Sequence, residues 1–245
     1  MNRFSAFGIH LGISFVIFLA LSYLVIFEWY PGIFFDTDGG WPGMRIIVAV
    51  DLIMGPTLTL VVYKKGKPGL RTDLTLIGLF QLICLSTGTY VVFSERPVAV
   101  VYTDGRFTVM SRDDYVEDAG VDVPHLRHFP GDDPKWVMLD MPDDLDEAHD
   151  LRAQTYKSGR LMNSLTDYYV PFTIEDIPSF LGEAEETEVI RGQEIWRQRI
   201  DDWLAKVDGG EDDFAFFTFS TRYAFGYLVY DREAIAQVGV ITNMD

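Results

Sequence analysis

The chain has 245 residues, 48% of them hydrophobic, and sets 20 Lys and Arg against 37 Asp and Glu, a formal charge of −17. One cysteine excludes an internal disulfide framework, and so acidic a balance argues against a nucleic-acid partner, which needs a basic face to meet phosphates. The average conceals two materials: residues 1–93 hold six basic and five acidic side chains, whereas residues 94–245 hold 14 and 32.

Three apolar stretches fill residues 1–93, and transmembrane helices are expected over about 9–27, 44–63 and 74–93. Crossing the hydrocarbon core takes about 20 helical residues, and all three qualify. The first is too long for a signal-peptide core and is followed by no small-x-small cleavage site. Orientation follows from the loops. The tail carries Arg3, and the loop 64–73 carries Lys64, Lys65, Lys67 and Arg71, which places both in the cytoplasm. The loop 28–43 holds Glu28, Asp36 and Asp38 with no cation. That loop and everything after residue 93 are therefore expected outside, in the periplasm of a diderm bacterium.

Asp51 is the one deep charge of the second span. Counted down from Met44 it lies about 10 Å below the outer face, level with Ser22 on the first span and with Ser86 and Thr87 on the third. A mid-membrane charge costs about 2.5–3.5 kcal/mol even on the lenient insertion scale, so Asp51 is expected to face inward, into a layer formed with Ser22, Ser86 and Thr87. Three roles stay open for that layer: a polar dock for another transmembrane helix, a proton-linked site, or a hydrogen-bonding anchor internal to the bundle. Gly55-Pro56, one turn on, is expected to kink or loosen the helix. Gly78 and Gly88 offer close helix approach, and His10 marks the cytoplasmic interface. In the outer loop, Trp29, Tyr30 and Trp41 fit an aromatic belt, while Pro31, Gly32, Gly39, Gly40, Pro42 and Gly43 impose turns.

Residues 94–245 are expected to form one acidic α+β domain with antiparallel strands. Runs at 98–102 and 106–110 flank Asp104-Gly105, a strong hairpin signal. Ser111 with Asp114 caps a short helix to about 119. A loop over 121–134 precedes a strand at 136–139. Asp143 caps a helix over 144–157, with Gly159 past its end. A long helix over 187–207 carries Val189, Trp196, Ile200, Trp203, Leu204 and Val207 on one face. Strands at 214–219, 222–230 and 235–241 close the chain as a meander. No motif for a nucleophile, phosphate loop or dinucleotide is present. His125, His128 and His149 lack a zinc pattern, and the acidic clusters lack EF-hand spacing. No cofactor, metal or catalytic residue is assigned.

The runs Arg3–His10, Trp29–Gly32, Asp38–Trp41, Arg45–Pro56, Lys67–Leu70 and Glu95–Pro97 resemble the type IV pilin accessory proteins of the TfpX/TfpZ family, densely over about 3–110 and thinly afterwards. The resemblance implies a bacterial inner-membrane protein, not an enzyme, that assists a cognate type IV major pilin alongside other inner-membrane pilus assembly proteins. It defines no catalytic residues. The residues offered for client docking or bundle structure are Asp51, Ser22, Ser86, Thr87, Gly55, Pro56, Trp29, Pro31, Asp38, Gly39, Gly40 and Trp41. The alternatives are a membrane-anchored periplasmic sensor or ligand-binding module, and a membrane-embedded enzyme acting on pilin or envelope glycan.

Overall fold

The computed structural model describes residues 2–116 and 123–244, with backbone alone at 123–125. The chain divides into two compact units, Met1–Arg96 and Pro97–Asp245.

The first unit contains three helices long and apolar enough to cross a membrane: α1 (Arg3–Trp29), α2 (Gly40–Val62) and α3 (Leu70–Ser94). Asn2 starts α1 by accepting the Ser5 amide on its side chain at 2.7 Å, satisfying one of the helix's orphan donors. Gly69, at φ 78°, turns the chain into α3, whose first turn carries Asp73 near the positive helix end. Helix α2 begins four residues earlier than the apolar run suggests. Gly39, at φ 109°, reverses the chain, and Pro42 is tolerated because it falls within the first turn, where its missing amide has no helical partner. Gly43 then lets α2 lie against α3: a Cβ there would stand 2.6 Å from Val92 Cγ2.

Two segments widen to π-helical turns, Leu24–Trp29 in α1 and Val48–Met54 in α2. The second has a clear cause. The Gly55 amide donates to Val50 O, and Pro56 has no amide to donate, so the turn carrying Asp51 opens just before the proline.

The second unit is built on a seven-stranded sheet. Its strands are β1 (Pro97–Thr103), β2 (Arg106–Ser111), β3 (Lys135–Leu139), β4 (Tyr169–Pro171), β5 (Phe214–Ser220), β6 (Phe225–Asp231) and β7 (Ala236–Thr242). They lie in the order β4-β3-β1-β2-β5-β6-β7. Asp104 and Gly105, at φ 49° and 75°, make the expected β1–β2 hairpin turn. Strands β5, β6 and β7 form the expected antiparallel meander.

The sheet as a whole is mixed, which corrects the antiparallel expectation: β1 pairs parallel with β3, and β2 pairs parallel with β5. Alternation along a strand reports its faces but not its direction. Direction is set by the connections, and those from β2 to β3 and from β4 to β5 are long enough to cross over. Both faces of the central strands are covered. Val98 to Val101 are each at most 1% exposed, which is why β1 reads as a continuous apolar run.

Three of this unit's helices are α4 (Leu145–Ser158), α5 (Thr187–Arg191) and α6 (Glu194–Leu204). Asp144, not Asp143, caps α4, accepting the Asp146 and Glu147 amides, and Gly159 ends it at φ 75°. The long helix expected over 187–207 is broken at Gly192-Gln193. The reason is packing. Ile190 is fully buried and Trp196 is 3% exposed in one cluster with Ile200, Phe214, Phe216 and Val229. Six residues apart on a continuous helix, Ile190 and Trp196 would diverge by about a third of a turn; the break lets both reach the sheet. Val189, expected on the buried face, is 50% exposed.

Ser111 and Asp114 form the expected capping box; the expected end of that helix near residue 119, and the His125 side chain, lie outside the described residues. A second cluster gathers Val98, Ala99, Val101, Met110, Tyr115, Val137 and Tyr169. Within it the Tyr115 and Tyr169 hydroxyls share a hydrogen bond of 2.9 Å, and burial pushes both phenols well above their ordinary value. Tyr230 is pushed up to about 12 by the same cause.

Candidate functional site: the polar centre of the helical unit

Ser14, Asp51 and Gln81 are each the twelfth residue of their helix, counted from Arg3, Gly40 and Leu70. They meet at mid-length. Asp51 is 1% exposed and Ser14 likewise, with Gln81 at 7%. Asp51 Oδ1 accepts from Ser14 Oγ at 3.0 Å and from Gln81 Nε2. Gln81 Nε2 also stands 3.3 Å from Ser14 Oγ and 3.4 Å from the Asp51 carbonyl. That carbonyl is the one whose helical donor is missing, because Gly55 donates elsewhere and Pro56 has no amide. The glutamine of α3 thus repairs the opening that the proline makes in α2.

The network continues toward the N-terminal end of α1. Gln81 Oε1 lies 2.8 Å from His10 Nε2, and His10 Nδ1 lies 2.6 Å from Thr59 Oγ1. The amide oxygen can only accept, so His10 presents Nε2–H to it. A run of hydrogen bonds from Thr59 through His10 and Gln81 to Asp51 and Ser14 therefore ties all three helices. Its weak point is Asp51 Oδ2, which is buried with no hydrogen-bond partner among the described residues. Gly55 admits the arrangement: a Cβ there would meet the Gln81 amide atoms at 2.3–2.6 Å.

The partners differ from those expected. Ser22 donates to Phe18 O at 2.7 Å and approaches Met44 Sδ at 3.5 Å, far from Asp51. Ser86 and Thr87 are exposed on the outside of α3. Depth explains the error. With α2 starting at Gly40, Asp51 sits mid-helix, so its level on α1 falls at Ser14 and on α3 at Gln81. His10 is a member of the network and not simply an interface marker. Gln81 carried a readable signal, being the only primary amide in the third apolar run. Gly78 and Gly88 do not mediate close approach: a Cβ at Gly78 meets nothing within 4 Å, and one at Gly88 makes ordinary contact with Ile46.

The connection between α1 and α2 is folded rather than open. Tyr30, 1% exposed, donates to Val92 O at 2.7 Å. Trp29 sets its ring edge against Phe93 at 5.2 Å. Pro31 leads into Gly32 at φ 61° and a helical turn over Phe34–Thr37. Asp38 is 3% exposed and accepts the Thr37 hydroxyl at 2.7 Å. Gly40 packs on Phe35, whose Cα would lie 2.9 Å from an added Cβ. Trp41 is 46% exposed, with the Arg45 guanidinium 4.9 Å above its ring. Among the described residues, no three His, Cys, Asp or Glu side chains are grouped to hold a metal ion.

No family model matches the sequence, and no solved structure matches it. Three curated relatives come from Dichelobacter nodosus. The fimbrial assembly protein of serogroup E1 is 32% identical over 126 residues, 50% of this chain and 49% of that protein. The protein of serogroup I is 31% identical over the same length and shares. The chain thus spans about half the length of these two. The fimbrial assembly protein of serogroups C1 and C2 is 30% identical over 113 residues, 45% of this chain and 86% of that protein. With that coverage, the chain belongs to the family of fimbrial assembly proteins.

Proposed function

We propose that the chain is an accessory factor of the bacterial inner membrane that assists a cognate type IV major pilin during pilus assembly, acting as a chaperone-like partner and not as an enzyme. The observation that carries this reading is the kinship with fimbrial assembly proteins, joined to three membrane-length helices with a polar centre. In this reading the N-terminus and the loop 64–73 face the cytoplasm, and the second unit lies in the periplasm. The loop cations of the second connection support that orientation. A pilin awaiting assembly holds one apolar helix in lipid and a head outside, so a helper with parts on both sides of that boundary can meet both.

Within this reading, the polar network is the bundle's internal brace. Asp51 is enclosed by its own helices, so the client helix meets the outer, apolar faces that the brace holds in place. Other inner-membrane assembly proteins and the bilayer are the remaining partners, with no nucleic acid.

Deleting the gene is expected to lower surface piliation and twitching movement while transcription of the pilin is unchanged, and re-expression restores both. Normal piliation in the deletion strain overturns the assembly role. A reporter active only in the cytosol, fused to the second unit, is expected to stay dark; a bright fusion overturns the orientation.

A further inference from the structure

The two edges of the sheet are not alike. β4 is three residues long and ends in Pro171, a protected edge. β7 has seven residues, Ala236–Thr242, reading AQVGVIT without charge or proline, and Val238 is 42% exposed. The Asn243 amide donates to Phe225 O at 2.9 Å, which sets the phase of the β6–β7 ladder. Ile241 and Gly239 turn their backbone groups toward β6, and Thr242 and Val240 turn theirs away from it. The Thr242 carbonyl is already held by Arg199 Nη1, whose neighbouring Nη2 takes Asn243 O. Val240, beside it, presents its amide and carbonyl outward.

A groove of about 330 Å³ runs along this edge, lined by Arg199, Asp202, Trp203 and Lys206 from α6 and its end, and by Val240 and Ile241. The Trp203 ring packs against the strand at Gly239, where a Cβ would fall 2.5 Å from its Nε1. The Lys206 side chain is exposed, and its ammonium group makes no hydrogen bond or ion pair among the described residues. Two cations against one acid is unusual ground in residues 97–245, where 13 basic side chains face 31 acidic ones.

We propose that the edge of β7 and the α6 groove dock an extended, acidic segment of a partner protein. The segment adds an eighth strand through Val240, lays alternate side chains over Trp203, and sets a carboxylate by Lys206 and Arg199. A second copy of this chain is the poorer occupant. Twofold pairing of β7 with itself would bring Arg199 of one α6 toward Lys206 of the other, between two units that are both strongly negative.

The test uses the full chain in detergent and a fluorescein-labelled short peptide of alternating threonine and valine with glutamate at both ends, alongside its lysine twin, followed by fluorescence anisotropy. The glutamate peptide is expected to saturate, with the lysine peptide weaker by about tenfold or more. Lys206→Glu, a change at an exposed side chain, is expected to reverse that preference. Val240→Pro, which removes an outward amide and no ladder bond, is expected to weaken binding about tenfold with the far-ultraviolet circular dichroism unchanged. Equal binding of the two peptides, absence of saturable binding, or indifference to Lys206→Glu overturns the proposal. So does efficient disulfide cross-linking of Val238→Cys between two copies, which assigns the edge to self-pairing.

Discussion

Gly55→Ala is the sharpest probe of the helical unit, because the three atoms nearest the added methyl all belong to the amide of Gln81, at 2.3–2.6 Å. That amide is the far end of a flexible side chain, so displacing it costs little sterically. What is lost is its hydrogen bonding to His10, Ser14 and the Asp51 carboxylate and carbonyl. Polar contacts between membrane helices average about 0.6 kcal/mol and reach about 1.7, so forfeiting the two best-formed bonds costs about 1–3 kcal/mol. The assay is unfolding in mixed micelles by titration with sodium dodecyl sulfate. Gly78→Ala is the matched control, since its methyl would meet nothing within 4 Å. Gly55→Ala is expected to unfold at lower detergent fraction by that margin, and Gly78→Ala to match the parent. Because both act through one side chain, Gly55→Ala combined with Gln81→Ala is expected to be no worse than the costlier single change. Identical behaviour of the two alanine variants, or full additivity in the double, would refute the assignment of Gly55 as the seat of Gln81.

Three further outcomes follow from the same geometry. Asp51→Asn keeps an acceptor for Ser14 and Gln81 and removes the charge whose Oδ2 has no partner, so stability in the same titration is expected to hold or rise; Asp51→Leu strands two buried donors and is expected to cost about 1–3 kcal/mol. Gly226→Ala would force a methyl to 1.9 Å from the Ile241 carbonyl oxygen, a backbone atom that cannot swing away, and is expected to destabilise the second unit by about 3 kcal/mol or more, read by loss of its near-ultraviolet circular dichroism. Tyr102, Tyr115, Tyr169, Tyr227 and Tyr230 all have phenol values raised chiefly by burial. A raised value in the fold means the neutral form is favoured there, so this stability is intact below the ordinary tyrosine value of about 10 and drains away as pH climbs through the folded values, about 12 for Tyr230. Tyrosinate absorbance is expected to rise together with unfolding of the second unit above pH about 10; smooth ionisation without unfolding contradicts it.

Apolar length was readable from the chain alone, and so were the strand pairs flanking Asp104-Gly105, because each rests on local pattern. The partners of Asp51 were not. Matching depths needs the true start of α2, and that start depends on Gly39 taking a left-handed φ and on Gly43 fitting against Val92. The second of these, between residues 49 apart, is not local in sequence. The parallel pairings of β3 and β5 were hidden for the same reason, since a crossover leaves no mark on the strand it delivers. The break at Gly192 was visible as a glycine, yet only the demand that Ile190 and Trp196 share one cluster turns it into a hinge between α5 and α6.

The hydrogen-bonded run from Thr59 to Ser14 draws on all three long helices, and no two of them complete it. During biosynthesis, then, a hairpin of α1 and α2 released early into lipid would carry a carboxylate and an imidazole still waiting for the glutamine of the last span. On the membrane role proposed above, the first two helices complete their polar bonding only once Gln81 has joined them.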